Sequence, residues 1–511
     1  MSTNQGAGQI DRYTEIGALG VKVRHIVKRT IFPIAALLAF ATIYLFYFGS
    51  VGASAFALIA LGSWLALVGW STGGIGLPLL PLIAVQNLFI YGGPIINKHE
   101  NILTYPPDFV LRAGLEVLIF DVALVSAWKM GMQVFTPSQK PSYTFKEFNQ
   151  AGIKGWTKLG FILIGGAVAV EVLQGLNLID IVYAVLPNGA DSIINALLAV
   201  AGACGFFLLS MVIGGSQVSP VEKLFFWLLL ILNSLISAAT LQLAGAAAYL
   251  VSVAVGLFWS NGRIPWRYLV IATFSLTFLN LGKTGMRAHY WTDEVSRDSN
   301  VSIKDLPRRY GDWIQQSAEA LSANHKVANG GSPNADENQT LLDRIDNLQN
   351  LLFVIDAIDT NHVRPLGGAT YSLIPPLLVP RILWPDKPRS HEGQVLLNVH
   401  FGRQDLNSTF MTYIAWGLLP EAYGNFGQFV GSILLGVAMG LLFAYVENMT
   451  ANKLVISMEG FLSLSLLMNL LNSFEMVASV LVTSIFQSYI VIIAACIPFV
   501  HRMRAPRPDE E

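Results

Sequence analysis

Residues 367–393 read GGATYSLIPPLLVPRILWPDKPRSHEG and residues 408–431 read STFMTYIAWGLLPEAYGNFGQFVG. They form the back half of a polar stretch, from about Lys283 to Gly427, that interrupts an otherwise oily chain. Of the 511 residues, 53% are hydrophobic and only 13% charged, against roughly 25% charged in a soluble globular protein. The rest of the chain therefore reads as an all-α polytopic membrane protein. Such a protein has little reason to carry a long loop rich in Arg, His, Asp, Glu, Trp and Pro unless that loop acts on something. The net charge of −1 and the lack of a basic tract give no footprint for nucleic acid. Cys204 and Cys496 both sit in apolar runs, which excludes a disulfide framework and a cysteine zinc site. About thirty mostly polar residues precede the first apolar run and no A-x-A site follows it, so that run is expected to be an uncleaved anchor.

Outside the polar stretch, apolar runs of roughly 17–25 residues are candidate spans. Twelve occur, at 31–48, 52–70, 76–95, 109–128, 158–178, 192–213, 223–240, 242–260, 266–282, 427–446, 455–473 and 477–500. Leu224–Ser260 is too long for one helix, so a tight hairpin is expected near Ala239. Cations fall on alternate connections. With the N-terminus inside, Lys22, Arg24, Lys28, Arg29, Lys129, Lys140, Lys146, Lys154, Lys223, Arg263, Arg267 and Lys453 are cytoplasmic, and the short outer loops hold only Lys98. This pattern predicts both termini inside and three regions. Residues 1–282 hold the N-terminus and nine spans, 283–426 form one large outer loop, and 427–511 hold three spans and the C-terminus.

Within the loop, residues 310–325 are predicted helical and His325–Asn338 a mobile link. Leu341, Leu342, Ile345, Leu348, Leu351, Leu352, Ile355 and Ile358 recur at helical spacing, which gives an amphipathic helix that lies on the membrane surface or packs on the bundle. Leu366–Trp384 is apolar but holds Pro375, Pro376 and Pro380, so it is expected to be re-entrant or interfacial rather than spanning.

The loop concentrates Arg287, His289, Arg364, Arg381, Lys387, Arg389, His391 and Arg403. Guanidinium groups suit bidentate recognition of phosphate, and the corner Trp384-Pro385-Asp386-Lys387-Pro388 would hold neighbouring cations in place. The competing reading pairs these cations with loop acids or lipid headgroups. Glu421 is a candidate general base, or else a helix cap or an ion-pair partner. Tyr423 and Trp416 are candidate sugar-stacking rings or else interfacial belt residues, and the belt is the preferred reading for Trp416. Inside the spans, Asp108, Arg112 and Glu116 are spaced for pairing along one face, with Arg112–Glu116 the expected pair. Asp121 and Glu171 are further intramembrane acids. There is no Walker A loop, HExxH, CxxC or Asp-x-Asp pair, so ATP hydrolysis and a metal-held nucleotide-sugar are not indicated.

PRILWPDKP (380–388), the run from Ser408-Thr409 through Gly417 to Glu421-Ala-Tyr-Gly-Asn-Phe-Gly-Gln-Phe-Val-Gly431, and GKTGMRAHYW (282–291) resemble the bacterial O-antigen and exopolysaccharide repeat-unit polymerases. The motifs cover residues 282–291 and 364–431, and the span pattern covers the whole chain. The resemblance implies an inner-membrane glycosyltransferase of GT-C-like type, needing no cofactor, metal or ATP. Its donor and acceptor would be oligosaccharide repeat units on undecaprenyl diphosphate, and a chain-length regulator and a flippase would be its partners. It further implies that Arg287, Arg364, Arg381 and Lys387 bind the diphosphate, that Glu421, or His391 as second choice, takes the acceptor proton, and that Tyr423, Trp384 and His289 face sugar, with Arg381 stabilising the leaving group. Three other readings stay open. An O-antigen ligase would use the same arginines, a lipid-sugar flippase or secondary transporter would draw on Glu116, Asp121 and Glu171, and a non-enzymatic membrane scaffold, which the cluster of loop cations disfavours, would use none of them.

Overall fold

The computed structural model describes residues 15–97, 100–140, 142–176, 178, 190–215, 218–241, 243–290, 301–328, 346–379, 383–384, 386–411, 414–455, 457–471, 473, 476–497 and 500–502. The longer helices, in chain order, are α1 Ile16–Tyr47, α2 Ala53–Gly73, α3 Leu79–Ile96, α4 Pro107–Val134, α5 Lys146–Gly175 and α6 Ala190–Gly214. Next come α7 Pro220–Ala239, α8 Leu243–Asn261, α9 Trp266–Tyr290 and α10 Leu306–Ala328. The chain closes with α11 Asn347–Asp359, α12 Ile374–Leu378, α13 Glu392–His400, α14 Leu406–Met411, α15 Leu418–Phe426, α16 Val430–Thr450, α17 Met458–Leu471 and α18 Ala478–Cys496. Each predicted apolar run lies on a helix. Among the described residues six stretches are long and apolar enough to cross a membrane: α1, α2, α3, α7, α16 and the Thr157–Gly175 part of α5. The chain is a helical membrane protein.

Local chemistry sets the helix ends. Ser219 and Glu222 form a reciprocal capping box at α7, with Pro220 in the first turn where its missing N–H costs nothing. The expected hairpin break falls at Thr240–Leu241, and Leu241 takes a φ of +61° there. Two boundaries differ from the hydropathy reading. α1 begins at Ile16, well before the apolar run at 31, and its basic stretch Lys22–Arg29 continues the same helix. α9 runs on to Tyr290, so GKTGMRAHY is the last two turns of a helix rather than the start of a loop.

Contacts divide the chain into two compact units, residues 1–144 with 345–490 and 500–511, and residues 145–344 with 491–499. The polar stretch contributes to both.

In the first unit α4 is the central helix, with its largest contacts to α2 and α16. On α16, Ser432, Gly436, Gly440 and Ala444 recur every four residues and let the two backbones touch. A Cβ on Gly436 would sit 2.6 Å from the Phe120 carbonyl oxygen, and one on Gly440 would strike that of Leu124. On the other flank, Gly114 lies directly against the backbone of Ala55 in α2. Buried carboxylates fasten this core. Glu447, on α16, accepts from Trp128 Nε1 at 2.9 Å, Trp70 Nε1 at 3.3 Å, Ile75 N at 2.6 Å and Gly76 N at 3.0 Å. Glu116, on α4, accepts from Phe429 N at 2.9 Å and from the Ser432 hydroxyl, and so closes the N-terminus of α16. The expected Arg112–Glu116 pair is not made. Arg112 instead pairs with Asp359 at the end of α11, while the buried Glu116 carboxylate is taken up by Phe429 N and the Ser432 hydroxyl.

The amphipathic helix is α11, capped by Asp346 through Gln349 N at 2.9 Å. Leu348, Leu351, Leu352, Val354 and Ile355 are all fully buried. Its apolar face therefore packs on the bundle, against α4 and α15, rather than on a surface.

In the second unit α5, α6 and α8 pack together, with α7 beside them, around Ile164, Phe206, Leu209, Phe226, Tyr249 and Val253. α10 lies on α9, where Gly282 leaves room for Ser317 and Trp313 Nε1 donates to the Leu279 carbonyl at 2.7 Å.

Replacing Gly440 by Val should cost about 2 kcal/mol of stability, as overpacking does in a closed core, whereas Leu442→Val, on a half-exposed face of the same helix, should cost much less. Denaturant unfolding in a fixed detergent measures the difference.

Candidate functional site

The Glu421 neighbourhood is built from α15 and the segment before α12, both in the first unit. α15 is bounded by Gly417 at φ +90° and Gly427 at φ +76°, positions that only glycine adopts without strain. Between them Glu421, Ala422, Tyr423, Gly424 and Asn425 are all buried. The segment Arg364–Thr370 crosses this helix as a strap. Leu366 N donates to Gly424 O at 3.0 Å and Gly367 N to Asn425 O at 2.8 Å. The strap turns at Gly367 and Gly368, and Thr370 arrives over the carboxylate.

Glu421 is completely buried. The Thr370 hydroxyl donates to its Oε1 at 2.6 Å, and Ala478 N, the first residue of α18, donates to its Oε2 at 2.5 Å. Asn425 Nδ2 donates to both Thr370 Oγ1 and Glu421 O, each at 2.8 Å, so the hydroxyl is held with its hydrogen towards the acid. Burial pushes the Glu421 carboxyl up to about 7, against the smaller opposing effect of the two hydrogen bonds. Tyr371 follows Thr370 and stacks on Phe426 with 5.6 Å between ring centroids. Burial raises its phenol, and the Glu421 charge adds to the rise. A carboxyl that titrates near neutrality and faces a hydroxyl has the protonation chemistry of a general base.

The sequence-predicted residues fall as follows. Arg364 is exposed on the strap, and His400 Nε2 lies 2.7 Å from its carbonyl oxygen. Lys387 Nζ donates to Leu377 O at 2.8 Å and Val379 O at 2.6 Å, so it closes the end of α12. His391 stands at the start of α13 with Nδ1 2.7 Å from Gln394 Oε1. Trp384 is exposed. Tyr423 is fully buried rather than presented for stacking. Burial raises its hydroxyl, with Glu116 adding to the rise and Arg112 opposing it. Arg287 and His289 lie in the second unit. Arg287 Nη2 donates to Leu241 O at 3.0 Å, and His289 meets Tyr290 edge-on at 4.8 Å. Arg381 lies outside the described residues, as does the expected 325–338 link from residue 329 onward.

Sequence reading missed a second cluster next to α15. Trp416, expected at an interface, is fully buried and donates from Nε1 to Asn398 Oδ1 at 2.7 Å. Arg403 lies over the rings of Phe353 and Trp416, 5.4 Å and 5.8 Å from their centroids, and donates to Asn350 Oδ1 at 2.8 Å. Its guanidinium is held by π faces and an amide rather than by an acid. The signal was present as Asn350, Asn398 and Trp416, but only a fold brings them together. No family model, curated protein or solved structure matches this chain.

Glu421 gives the fold a pH dependence with a definite sign. Its native pKa is raised, so the native state holds a proton that the unfolded state has lost between about pH 4.5 and about 7. Stability from this group is therefore full below that window and falls as pH rises through it. Relative to Glu421→Gln, the wild type should lose about 3 kcal/mol between pH 5 and pH 8. Chemical denaturation of both proteins across that range tests it.

Proposed function

We propose that this protein is a polysaccharide polymerase of the inner membrane, with twelve spans, both termini cytoplasmic and the polar stretch at the periplasmic face. It transfers a growing glycan from undecaprenyl diphosphate onto a lipid-diphosphate-linked repeat unit. The observation that carries the reading is the Thr370 hydroxyl, 2.6 Å from the buried Glu421 carboxylate, in a segment whose strap bears the exposed Arg364. An acceptor sugar hydroxyl that displaces Thr370 would meet the same oxygen.

In this mechanism the acceptor oxygen attacks the anomeric carbon of the donor. The bond between that carbon and the diphosphate oxygen breaks, Glu421 takes the hydroxyl proton, and the electron pair leaves with undecaprenyl diphosphate. Arg364 and Arg381, with Lys387 as a further cation, stabilise the departing charge. His391 is the alternative base. Tyr423 and Trp384 are the proposed sugar contacts, and Tyr423, fully buried, has to be uncovered for that role. A diphosphate leaving group supplies the driving force, so ATP is not needed. A single displacement inverts the anomeric centre.

One observation favours a transporter as the second reading. Asp121 is fully buried in α4, with one oxygen accepting from Asn87 Nδ2 at 2.8 Å and the other without a partner among the described residues. A ligase would differ from the polymerase only in taking a lipid-core acceptor.

Purified protein in lipid, given undecaprenyl-diphosphate repeat units from its host without nucleotide, ATP or metal, should produce a ladder of glycans. Glu421→Gln should slow it by roughly 10²–10⁴-fold, and Arg364→Ala and Arg381→Ala should also reduce it. Movement of lipid-sugar between liposome leaflets with no ladder would make the protein a transporter. A product formed only with lipid-core acceptor would make it a ligase.

A further inference from the structure

The turn between α8 and α9 carries cations that the proposed chemistry does not use and that have so far marked only a side of the membrane. Asn261, Arg263, Ile264, Pro265, Trp266, Arg267 and Tyr268 line a concave surface at the end of the second unit's helices. Arg263 and Arg267 are both exposed, and among the described residues neither makes an ion pair. The turn itself is well fixed. Gly262 takes a φ of +62°, Trp266 N donates to Ile264 O at 2.9 Å, and Tyr268 Oη donates to Leu250 O at 2.9 Å. The two guanidinium groups therefore project from a set backbone.

An apolar stripe begins where these cations end. Trp266, Val270, Ile271 and Phe274 are spaced along one face of α9 and are 65%, 64%, 67% and 71% exposed. Phe278, one turn further, stacks on Phe274 with 6.5 Å between ring centroids. Along this face the order is two cations, an indole, then aliphatic and phenyl groups. A phospholipid has the same order: phosphate, interfacial backbone, acyl chain.

We propose that the α8–α9 turn is a binding site for an anionic phospholipid. Arg263 and Arg267 hold the phosphodiester, Trp266 packs at the glycerol level, and one acyl chain runs along Val270, Ile271 and Phe274. Charge complementarity selects the anionic headgroup, and the stripe selects a lipid over a free anion. The site is separate from Glu421 and does not depend on the polymerase reading.

Native mass spectrometry of the detergent-purified full chain tests it, with phosphatidylglycerol and phosphatidylcholine of matched chains as probes. The wild type should retain phosphatidylglycerol in preference to phosphatidylcholine. Arg263→Gln with Arg267→Gln should weaken that retention on the order of tenfold. Lys304→Gln, a change at another exposed cation of the second unit, should leave it unchanged. Phe274→Ser should weaken retention of the long-chain lipid, and millimolar inorganic phosphate should not displace it. Each arginine changed singly gives the same reading if the double variant does not fold. Equal retention of the two lipids, undiminished retention in the arginine variants, or displacement by inorganic phosphate alone would overturn the proposal. Preferential retention of undecaprenyl diphosphate over phosphatidylglycerol would likewise overturn it, because the site would then belong to the carrier lipid.

Discussion

Backbone N–H groups at and near helix ends have no partner within the helix, and the first unit meets that constraint with buried carboxylates borrowed from other helices. Glu116 of α4 closes the start of α16 through Phe429 N and Ser432. Glu421 of α15 closes the start of α18 through Ala478 N. Glu447 of α16 takes up Ile75 N and Gly76 N, just beyond the end of α2, together with two indoles. Each acid is buried, and each ties together segments distant in sequence. An acid in such a place is costly unless its oxygens are matched by donors, so the match also fixes the register of the helices. Phe429 shows how firmly: it holds a φ of +61°, unusual for a bulky residue, at the point where Glu116 receives its N–H.

Three acids with one architectural role do not have the same chemistry. Glu447 has four donors, two of them rigid indoles and two backbone amides, and no room to do anything else. Glu421 has one backbone donor and one hydroxyl, and the hydroxyl comes from a strap held to α15 by two backbone hydrogen bonds at glycine positions. Its second oxygen therefore faces a partner that a substrate hydroxyl can imitate. The same burial that makes it a structural cap also brings its carboxyl towards neutrality. Cap and general base were competing readings of the sequence, and the geometry is compatible with both at one residue.

Much of the fold was legible because hydrophobic length is a local property. Every apolar run became a helix, and the break near Ala239 fell where excess length required it. What escaped depended on contacts across the chain. Arg112 and Glu116 share a helix face at ideal spacing, yet a carboxylate from α11 and a helix end from α16 outcompete that pairing. Glu447 carries no span signal because the apolar run ends at 446, whereas the helix continues to Thr450. Trp416 reads as interfacial because it stands in the polar loop shortly before an apolar run, but in the fold it is buried against Asn398 and Arg403. Glu421 stood out from its glycine-rich, aromatic surroundings, whereas its partners Thr370 and Asn425 carry no signal in a sequence.

The central claim is that the acid held by Thr370 and Ala478 is the base of a glycosyl transfer. The most direct measurement is the pH dependence of single-turnover transfer between two undecaprenyl-diphosphate repeat units in lipid, for the wild type and for Glu421→Gln. A general base must be ionised to act. The account predicts a wild-type rate that rises with pH, bends near 7 and then levels, with the variant slow and flat over the same range. A wild-type profile without that bend, or the same bend preserved in Glu421→Gln, would contradict it.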